Sequence, residues 1–236
     1  MNNISPIYLF ADSQLLFWKQ DSQLFLKNIL KYISSPEPHA AYIGASNNNQ
    51  KVFFDLFKDA MESIGVQCCR MLGSDFSAPD KDFLEKADII LLAGGDVVKG
   101  WDIIQSTGLK TAILKRYSEG AVLIGVSAGA VQLGLCAADT NIEDIYRIFD
   151  TFQIVPCMIG VHEEREEWSK LKSLVYKKGD YSKGIGIPFG GGAVYYPDNS
   201  FEPLRKSIYE VFVYDGKPVA NLLCANVEDD FTPQLQ

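Results

Sequence analysis

The sequence predicts an α/β fold in which helices cover both faces of a mostly parallel central sheet. Short apolar runs typical of buried strands alternate with segments of helical periodicity through the first two thirds of the chain. Glycines stand at the ends of two of these runs, at 94–95 and at Gly125. Open α/β sheets bind ligands at the carboxyl edge of their strands, so we expect a three-layer sandwich with its site at this edge.

The predicted elements follow one another with little chain between them. Apolar runs predict strands at residues 7–11, 40–44, 66–72, 87–93 and 121–126. Apolar residues at helical spacing predict helices at residues 14–32, 46–64, 80–86, 97–107 and 109–119. A further helix is expected directly after Ser127.

The last third of the chain has a different pattern. An apolar run at 154–161 predicts a strand that ends at His162, and a charged amphipathic helix is expected at 163–178. Glycines interrupt a predicted hairpin at 184–197, and a second hairpin at 210–220 has an Asp-Gly turn. Repeats and long linkers are lacking, which favours a single domain over residues 1–236.

Composition narrows the class of function. The 236 residues are 47% hydrophobic and carry a formal charge of −8, with a mean hydropathy of −0.01 and a pI near 4.8. The acidic balance argues against a nucleic-acid partner, which needs a clustered basic face. Signal-peptide and membrane-spanning patterns are lacking, and the five cysteines form no Cys-x-x-Cys pair. We expect a cytoplasmic protein without a metal, a cofactor or a membrane partner.

The motif Gly125-Val126-Ser127-Ala128-Gly129 lies between a predicted strand and a predicted helix. This is the nucleophile elbow, a turn so sharp that the residues two before and two after the serine must be small. We expect Ser127 to be a catalytic nucleophile. The backbone N–H of Ala128, at the start of the helix, would face an oxyanion.

The chain offers two histidines as a base for this serine. His39 lies among prolines at the amino end of the sheet, where a solvated loop histidine is expected. His162 follows a strand at its carboxyl end, on the side of Ser127. A neutral imidazole there could take the hydroxyl proton and return it to a leaving amine.

The glycine pair before Asp96 has two interpretations that are compatible with each other. The backbone N–H of Gly95 could supply the second half of an oxyanion hole. The pair could also form a tight turn in which Asp96 caps the next helix. The pattern is not Gly-x-Gly-x-x-Gly, so a dinucleotide site is not indicated.

Several carboxylates could orient His162, and the sequence does not choose among them. Asp139, Glu143 and Asp144 lie between the serine and the histidine, and Glu163 and Glu164 follow the histidine. Each could equally be a solvated surface charge. Arg165 could bind a substrate carboxylate through its planar guanidinium, or pair with a glutamate on its own helix.

Together, Gly125–Ala130, Leu91–Asp96 and His162 resemble the aspartyl dipeptidase (peptidase E) and cyanophycinase family of serine hydrolases. The resemblance implies a flavodoxin-like fold of the class I glutamine amidotransferase type and a cytoplasmic serine peptidase that needs no cofactor. It implies Ser127 as nucleophile, His162 as base and the amides of Gly95 and Ala128 as oxyanion hole. It also implies a small peptide substrate whose N-terminal aspartate is read by Arg165. We consider a homodimer as the assembly.

The chain departs from this family at two positions. Relatives often carry the triad glutamate in a turn that corresponds to residues 186–190, where this chain has Phe189. They also tend to have asparagine where this chain has Asp96, which makes Asp96 a second candidate for substrate contact. An impaired or inactive relative that binds a peptide or small molecule is therefore the alternative hypothesis. A glutamine amidotransferase is disfavoured because its elbow carries cysteine, although His162-Glu163-Glu164 resembles its His-x-Glu pair.

Overall fold

The computed structural model describes residues 4–139 and 147–225. Strands are numbered along the chain: β1 Ile7–Phe10, β2 Lys19–Gln20, β3 Gln23–Leu24, β4 His39–Ile43, β5 Cys68–Leu72, β6 Ile89–Leu92, β7 Val122–Val126, β8 Cys136–Asp139, β9 Arg147–Asp150, β10 Met158–Val161, β11 Lys183–Ile187, β12 Gly192–Tyr195, β13 Phe201–Leu204, β14 Ile208–Tyr214 and β15 Lys217–Leu223. The α-helices are α1 Lys51–Ser63, α2 Ala78–Leu84, α3 Val97–Ser106, α4 Leu109–Ser118, α5 Ala128–Leu133 and α6 Ser169–Lys178. Short 3-10 helices lie at Ser13–Phe17, Phe25–Tyr32, Ala45–Asn47 and Glu164–Glu166.

The central sheet has seven strands in the order β13-β12-β1-β7-β6-β4-β5. The strands from β1 to β5 in this order pair in parallel, and β12 and β13 add an antiparallel edge. Leu92 of β6 pairs with Gly125 of β7, and Phe10 of β1 pairs with Val126. The residues that follow β6, β7 and β1 therefore meet at one edge, and the predicted α/β class is confirmed.

Two apolar clusters cover the faces of this sheet. On one face, α1 and the 3-10 helices Ser13–Phe17 and Phe25–Tyr32 bury residues such as Phe57 and Leu26. On the other face, α2 to α5 bury Trp101, Ile113 and Leu133. Removing this apolar surface from water is the main favourable contribution to folding, and it produces the three-layer arrangement.

A second sheet of four strands, in the order β10-β11-β14-β15, packs beside the helices of the second face. Strand β10 pairs in parallel with β11, and β14 pairs antiparallel with both β11 and β15. Helix α6 covers this sheet through Leu171 and Val175, and Trp168, directly before the helix, belongs to the same small cluster. The sheet brings the end of β10 to the site.

Of the two predicted hairpins, only the second forms. Strands β14 and β15 are joined by Asp215 and Gly216, both at positive φ (51° and 68°), as the Asp-Gly pattern predicts. The hairpin predicted at 184–197 is wrong, because β11 and β12 belong to different sheets. A turn at 188–191 changes the direction of the chain between them.

The predicted helix at 14–32 is also wrong. Residues 19–23 are five exposed polar residues, and Asp21 and Ser22 adopt positive φ (49° and 64°). Asp21 and Ser22 form a tight turn between β2 and β3. This turn separates the two 3-10 helices, Ser13–Phe17 and Phe25–Tyr32, that occur where one helix was predicted. The apolar spacing on either side of the turn fits a helix, but the polar turn ends it.

Several boundaries also differ from the predicted ones. The predicted helix at 163–178 begins only at Ser169, because Glu167 and Trp168 have positive φ (52° and 61°) and end the 3-10 helix before it. The strand predicted at 154–161 starts at Met158. In the described residues, no helix is long and apolar enough to cross a membrane.

Candidate active site

Ser127 occupies the turn between β7 and α5 with φ 49° and ψ −111°. Few residues with a side chain adopt positive φ, and such strain persists only where the surroundings impose it. Here the N–H of Ser127 donates to the carbonyl of Phe10 in β1, at 2.9 Å. The sharp turn that the glycine spacing predicts is therefore present.

The two glycines of the motif have no room for a side chain. A Cβ atom on Gly125 would lie 2.7 Å from the Cα of Ala130, and one on Gly129 would lie 2.1 Å from the carbonyl oxygen of Leu92. Both contacts are with backbone, which cannot move aside without distorting the sheet or the helix. Helix α5 thus packs directly against β6 and β7, and this packing fixes the serine at the sheet edge.

Two backbone amides near Ser127, those of Gly95 and Ala128, have no hydrogen-bond acceptor among the described residues. Ala128 is the first residue of α5, where an N–H has no acceptor within the helix. The N–H of Asp96 donates to the carbonyl of Ser46 at 2.8 Å, whereas that of Gly95 donates to no acceptor in the described parts of the chain. Gly95 has φ 134°, and a Cβ there would lie 2.1 Å from the same carbonyl.

The segment before α3 also fits the second interpretation of its sequence. The carboxylate of Asp96 caps α3 by accepting a hydrogen bond from the N–H of Lys99, at 3.0 Å. The neighbouring Gly94 approaches the serine closely, since a Cβ on it would lie 3.1 Å from the Cβ of Ser127. The turn therefore positions the Gly95 amide and keeps the space around the hydroxyl open.

His162 follows β10 and lines the same cavity as Ser127. Its φ is 61°, and its N–H donates to the carbonyl of Ile187 at 3.2 Å. The imidazole is exposed. Within residues 4–139 and 147–225, neither the imidazole nor the Ser127 hydroxyl makes a hydrogen bond, so both are available to a substrate. His39 begins β4 at the opposite end of the sheet, with Nδ1 3.1 Å from the carbonyl oxygen of Glu37.

Phe189 lies against the imidazole of His162. The two ring centroids are 5.5 Å apart with 50° between the planes, and Phe189 is 52% exposed. Its backbone is held by Glu164, whose carboxylate accepts from the Phe189 N–H at 3.1 Å, and by Lys206, which donates to its carbonyl at 2.7 Å. Asp12 accepts from the next N–H, that of Gly190, at 2.5 Å. The turn that carries Phe189 is thus fixed on both sides.

The candidate acids have different surroundings. Glu164 is bound to the backbone of Phe189 rather than to the imidazole. Asp139 ends β8 and does not line the cavity. Glu143 and Asp144 lie outside the described residues. Glu163 accepts from the N–H of Leu171 in α6 at 3.0 Å, and burial raises the pKa of its carboxyl group.

The structure does not bring Arg165 or Asp96 to the cavity. Arg165 is exposed on the 3-10 helix Glu164–Glu166, which precedes α6. Neither residue is among those that line the cavity next to Ser127. In the described residues, no group of three or more His, Cys, Asp or Glu side chains is placed to hold a metal ion.

The cavity has a volume of about 490 Å³, within the range of small-ligand sites. Sequence reasoning missed most of its walls, which come from the segment after β1, from the end of β4 and the turn after it, and from α1. They include Asp12, Leu16, Tyr42, Asn47, Phe53 and Phe57. The sequence did contain one indication that Asp12 lies at the site, because Asp12 follows a parallel strand just as Gly94 and Ser127 do.

A serine on an elbow at the carboxyl edge of an α/β sheet is typical of hydrolases. The sequence model of peptidase family S51 matches residues 11–202. The chain therefore belongs to this family of peptidases.

Solved structures show the same fold. A peptidase from an acI-B1 actinobacterium superposes with a TM-score of 0.73 at 17% identity, and the match covers 96% of each chain. A putative peptidase E protein from Listeria monocytogenes EGD-e gives a TM-score of 0.55 at 16% identity, over 92% of this chain and 98% of that one. At these identities the likeness is one of fold. No curated protein sequence matches the chain.

Proposed function

We propose that the protein is a serine-type peptidase that hydrolyses small peptides. Ser127 is the nucleophile, His162 is the general base, and the amides of Gly95 and Ala128 form the oxyanion hole. The observation that carries this proposal is the strained backbone of Ser127, which presents the hydroxyl to a cavity that His162 also lines. Strain of this kind is characteristic of functional sites.

The proposed reaction has two halves. The imidazole of His162 takes the Ser127 proton while the hydroxyl oxygen attacks the peptide carbonyl, and the two amides stabilise the resulting oxyanion. The imidazolium then gives its proton to the leaving amine, and the C–N bond breaks to leave an acyl ester on Ser127. In the second half, His162 activates water against this ester, and the acid product and free serine are released.

Hydrolysis of short peptides by variants tests the proposal. We expect Ser127→Ala and His162→Ala to lose almost all activity, because removal of either member of a serine–histidine pair is strongly deleterious. Ser13→Ala is a matched control, since Ser13 lines the same cavity but is not on the elbow. Activity that survives in Ser127→Ala, or is lost equally in Ser13→Ala, would contradict the role of Ser127.

A second candidate function is peptide or small-molecule binding without turnover. It is favoured by the contact between His162 and Phe189, which places an apolar ring where a carboxylate could orient the imidazole. Under this hypothesis Ser127→Ala would keep full ligand affinity, and the wild type would hydrolyse no peptide. Turnover that depends on Ser127 would exclude it.

Two finer points remain proposals. All five cysteine thiols are free, the state favoured in a reducing compartment, and this supports a cytoplasmic location. Recognition of an N-terminal aspartate by Arg165 stays a prediction. It receives no support from the cavity, because Arg165 does not line it.

A further inference from the structure

We infer that the cavity next to Ser127 selects an uncharged apolar side chain, aliphatic or aromatic, on the residue whose carbonyl is attacked. This inference rests on the proposed function and names its substrate class. It differs from the aspartate preference that the family resemblance implies. The supporting observations are the burial, the hydrogen bonding and the charge of the side chains that line the cavity.

The inner wall of the cavity is apolar and closed. It is built from the buried side chains of Leu16, Tyr42, Phe57, Leu91 and Val126, which are 0–7% exposed. These residues come from the first 3-10 helix, from β4, α1, β6 and β7, so the wall belongs to the core of the protein. An apolar ligand group that displaces water from such a wall gains free energy in proportion to the area buried.

Four of the polar side chains that line the cavity are already engaged within the protein. Asn47 donates to the hydroxyl of Tyr42 at 2.9 Å, and the hydroxyl of Ser46 accepts from Gln132 at 3.1 Å. Asp12 accepts from two backbone N–H groups, those of Gln14 at 2.8 Å and Gly190 at 2.5 Å. Their main hydrogen-bonding needs are therefore met without a ligand.

The charges near the cavity disfavour an acidic side chain. Among the described residues that line the cavity there is no lysine or arginine, and the one carboxylate is that of Asp12. The nearby cations are directed elsewhere, since Lys206 donates to the carbonyl of Phe189 and Arg205 to that of Gly190, at 3.4 Å. An aspartate side chain would thus lose its hydration next to a like charge and gain no cation in return.

The position of His162 indicates which side of the scissile bond uses this wall. His162 must protonate the leaving amine, and its exposed imidazole lies at the open side of the cavity, as do Phe189 and Phe53 (52% and 43% exposed). The leaving group therefore points outward. The side chain on the acyl side of the bond is then directed to the closed apolar wall.

The first test compares dipeptides that differ only in the N-terminal residue. We expect kcat/KM for Leu-Ala and Phe-Ala to exceed that for Asp-Ala by about 10–200-fold, the range that a hydrophobic pocket achieves. Lys-Ala should also be a poor substrate, because the carboxylate of Asp12, the one that lines the cavity in the described residues, already accepts from two backbone N–H groups. Asp-Ala cleaved as fast as Leu-Ala, or faster, would overturn the inference.

A second test changes the charge of the cavity. Leu56→Arg adds a cation at a half-buried position of α1 that lines the cavity, and we expect it to raise the Asp-Ala to Leu-Ala ratio of kcat/KM by about 10-fold. Val52→Arg is the matched control, because Val52 is 58% exposed on the same helix and does not line the cavity. An unchanged ratio in Leu56→Arg, or an equal change in both variants, would contradict the inference.

Binding to Ser127→Ala separates this inference from the proposed function. Calorimetry with Leu-Ala and Asp-Ala measures the preference of the cavity without any turnover. Tighter binding of Leu-Ala supports the inference even if the wild type cleaves neither dipeptide, in which case the proposed function alone fails. Tighter binding of Asp-Ala overturns the inference, whatever the activity of the wild type.

Discussion

Ser127 and His162 line one cavity, yet the protein holds them in different ways. The nucleophile side, residues 122–133, is fixed by backbone contacts: Gly125 against Ala130, and Gly129 against Leu92. The base side, residues 158–191, carries the exposed imidazole of His162, which contacts the ring of Phe189. The orientation of the serine therefore depends on core packing, whereas that of the imidazole depends on a few surface side chains.

This difference shows where such a site can change without loss of the fold. A substitution on the nucleophile side disturbs the sheet itself. A substitution at Phe189 changes one exposed side chain on a turn that Glu164 and Lys206 hold by its backbone. We therefore expect changes on the nucleophile side to affect stability, and changes on the base side to affect turnover.

The largest expected effect is that of Gly129→Ala. The new methyl group would lie 2.1 Å from the carbonyl oxygen of Leu92, so α5 must move away from β6. We expect a loss of about 3 kcal/mol or more in the free energy of unfolding, measured by urea denaturation. Gly65→Ala is the control, because only its positive φ is unfavourable and its surroundings are open. It should cost about 1–2 kcal/mol, and equal losses in the two variants would contradict the account.

The next effect is a gain of activity in Phe189→Glu. A carboxylate at this position could orient the imidazole and stabilise its protonated form, as the triad acid does. We expect kcat to rise by about 10–100-fold, within the 10⁴-fold range that the acid can supply. Phe189→Gln removes the ring without adding a charge and should show no comparable rise. A decrease in kcat for Phe189→Glu would show that the ring itself is required.

A smaller effect is expected for Glu164→Gln. The carboxylate is bound to the N–H of Phe189, and an amide oxygen can accept the same hydrogen bond. We expect kcat to fall by less than about 10-fold. A loss near 10⁴-fold, the value for a missing triad acid, would instead identify Glu164 as the orienting residue. Glu166→Gln on the same 3-10 helix is the matched control, and it should leave kcat unchanged.

The smallest effect concerns Glu163, which lies between His162 and α6. Burial raises its pKa above 4.5, and the N–H of Leu171 and the charge of Lys170 oppose this only in part. The pKa of Glu163 is therefore higher in the folded state than in the unfolded state. The contribution of this carboxyl group to stability is complete below pH 4.5, and it is lost as the pH rises through the folded-state pKa.

Glu163→Gln keeps the acceptor for the Leu171 N–H and removes the charge. We expect its midpoint of thermal unfolding to exceed that of the wild type by about 1–2 °C at pH 7, with the difference vanishing near pH 4. A variant that is less stable than the wild type at pH 7 would show that the charge of Glu163 stabilises α6.

Local patterns predicted much of the fold and the nucleophile side of the site. The elbow could be predicted because its steric demands fall on residues only two positions from Ser127. The turn at Asp215–Gly216 could be predicted for the same reason. The false helix at 14–32 arose because apolar spacing outweighed the polar run at 19–23, where tertiary structure forms a turn.

The cavity walls and the base side could not be predicted in this way. Asp12, Tyr42 and Phe53 meet only because β1 and β4 end, and α1 begins, at one edge of the sheet. The change of sheet between β11 and β12 depends on contacts of Asp12 and Glu164 with a turn far away in the sequence. Such contacts follow from the topology and leave no local pattern.

The central claim is that Ser127 is the nucleophile, and covalent labelling tests it most directly. A fluorophosphonate probe should add one phosphonyl group to the wild type, mapped to Ser127 by peptide mass spectrometry, and also to Ser13→Ala. Labelling should be absent in Ser127→Ala and much slower in His162→Ala, which lacks the base. An adduct on another residue, or no adduct on the wild type, would contradict the claim.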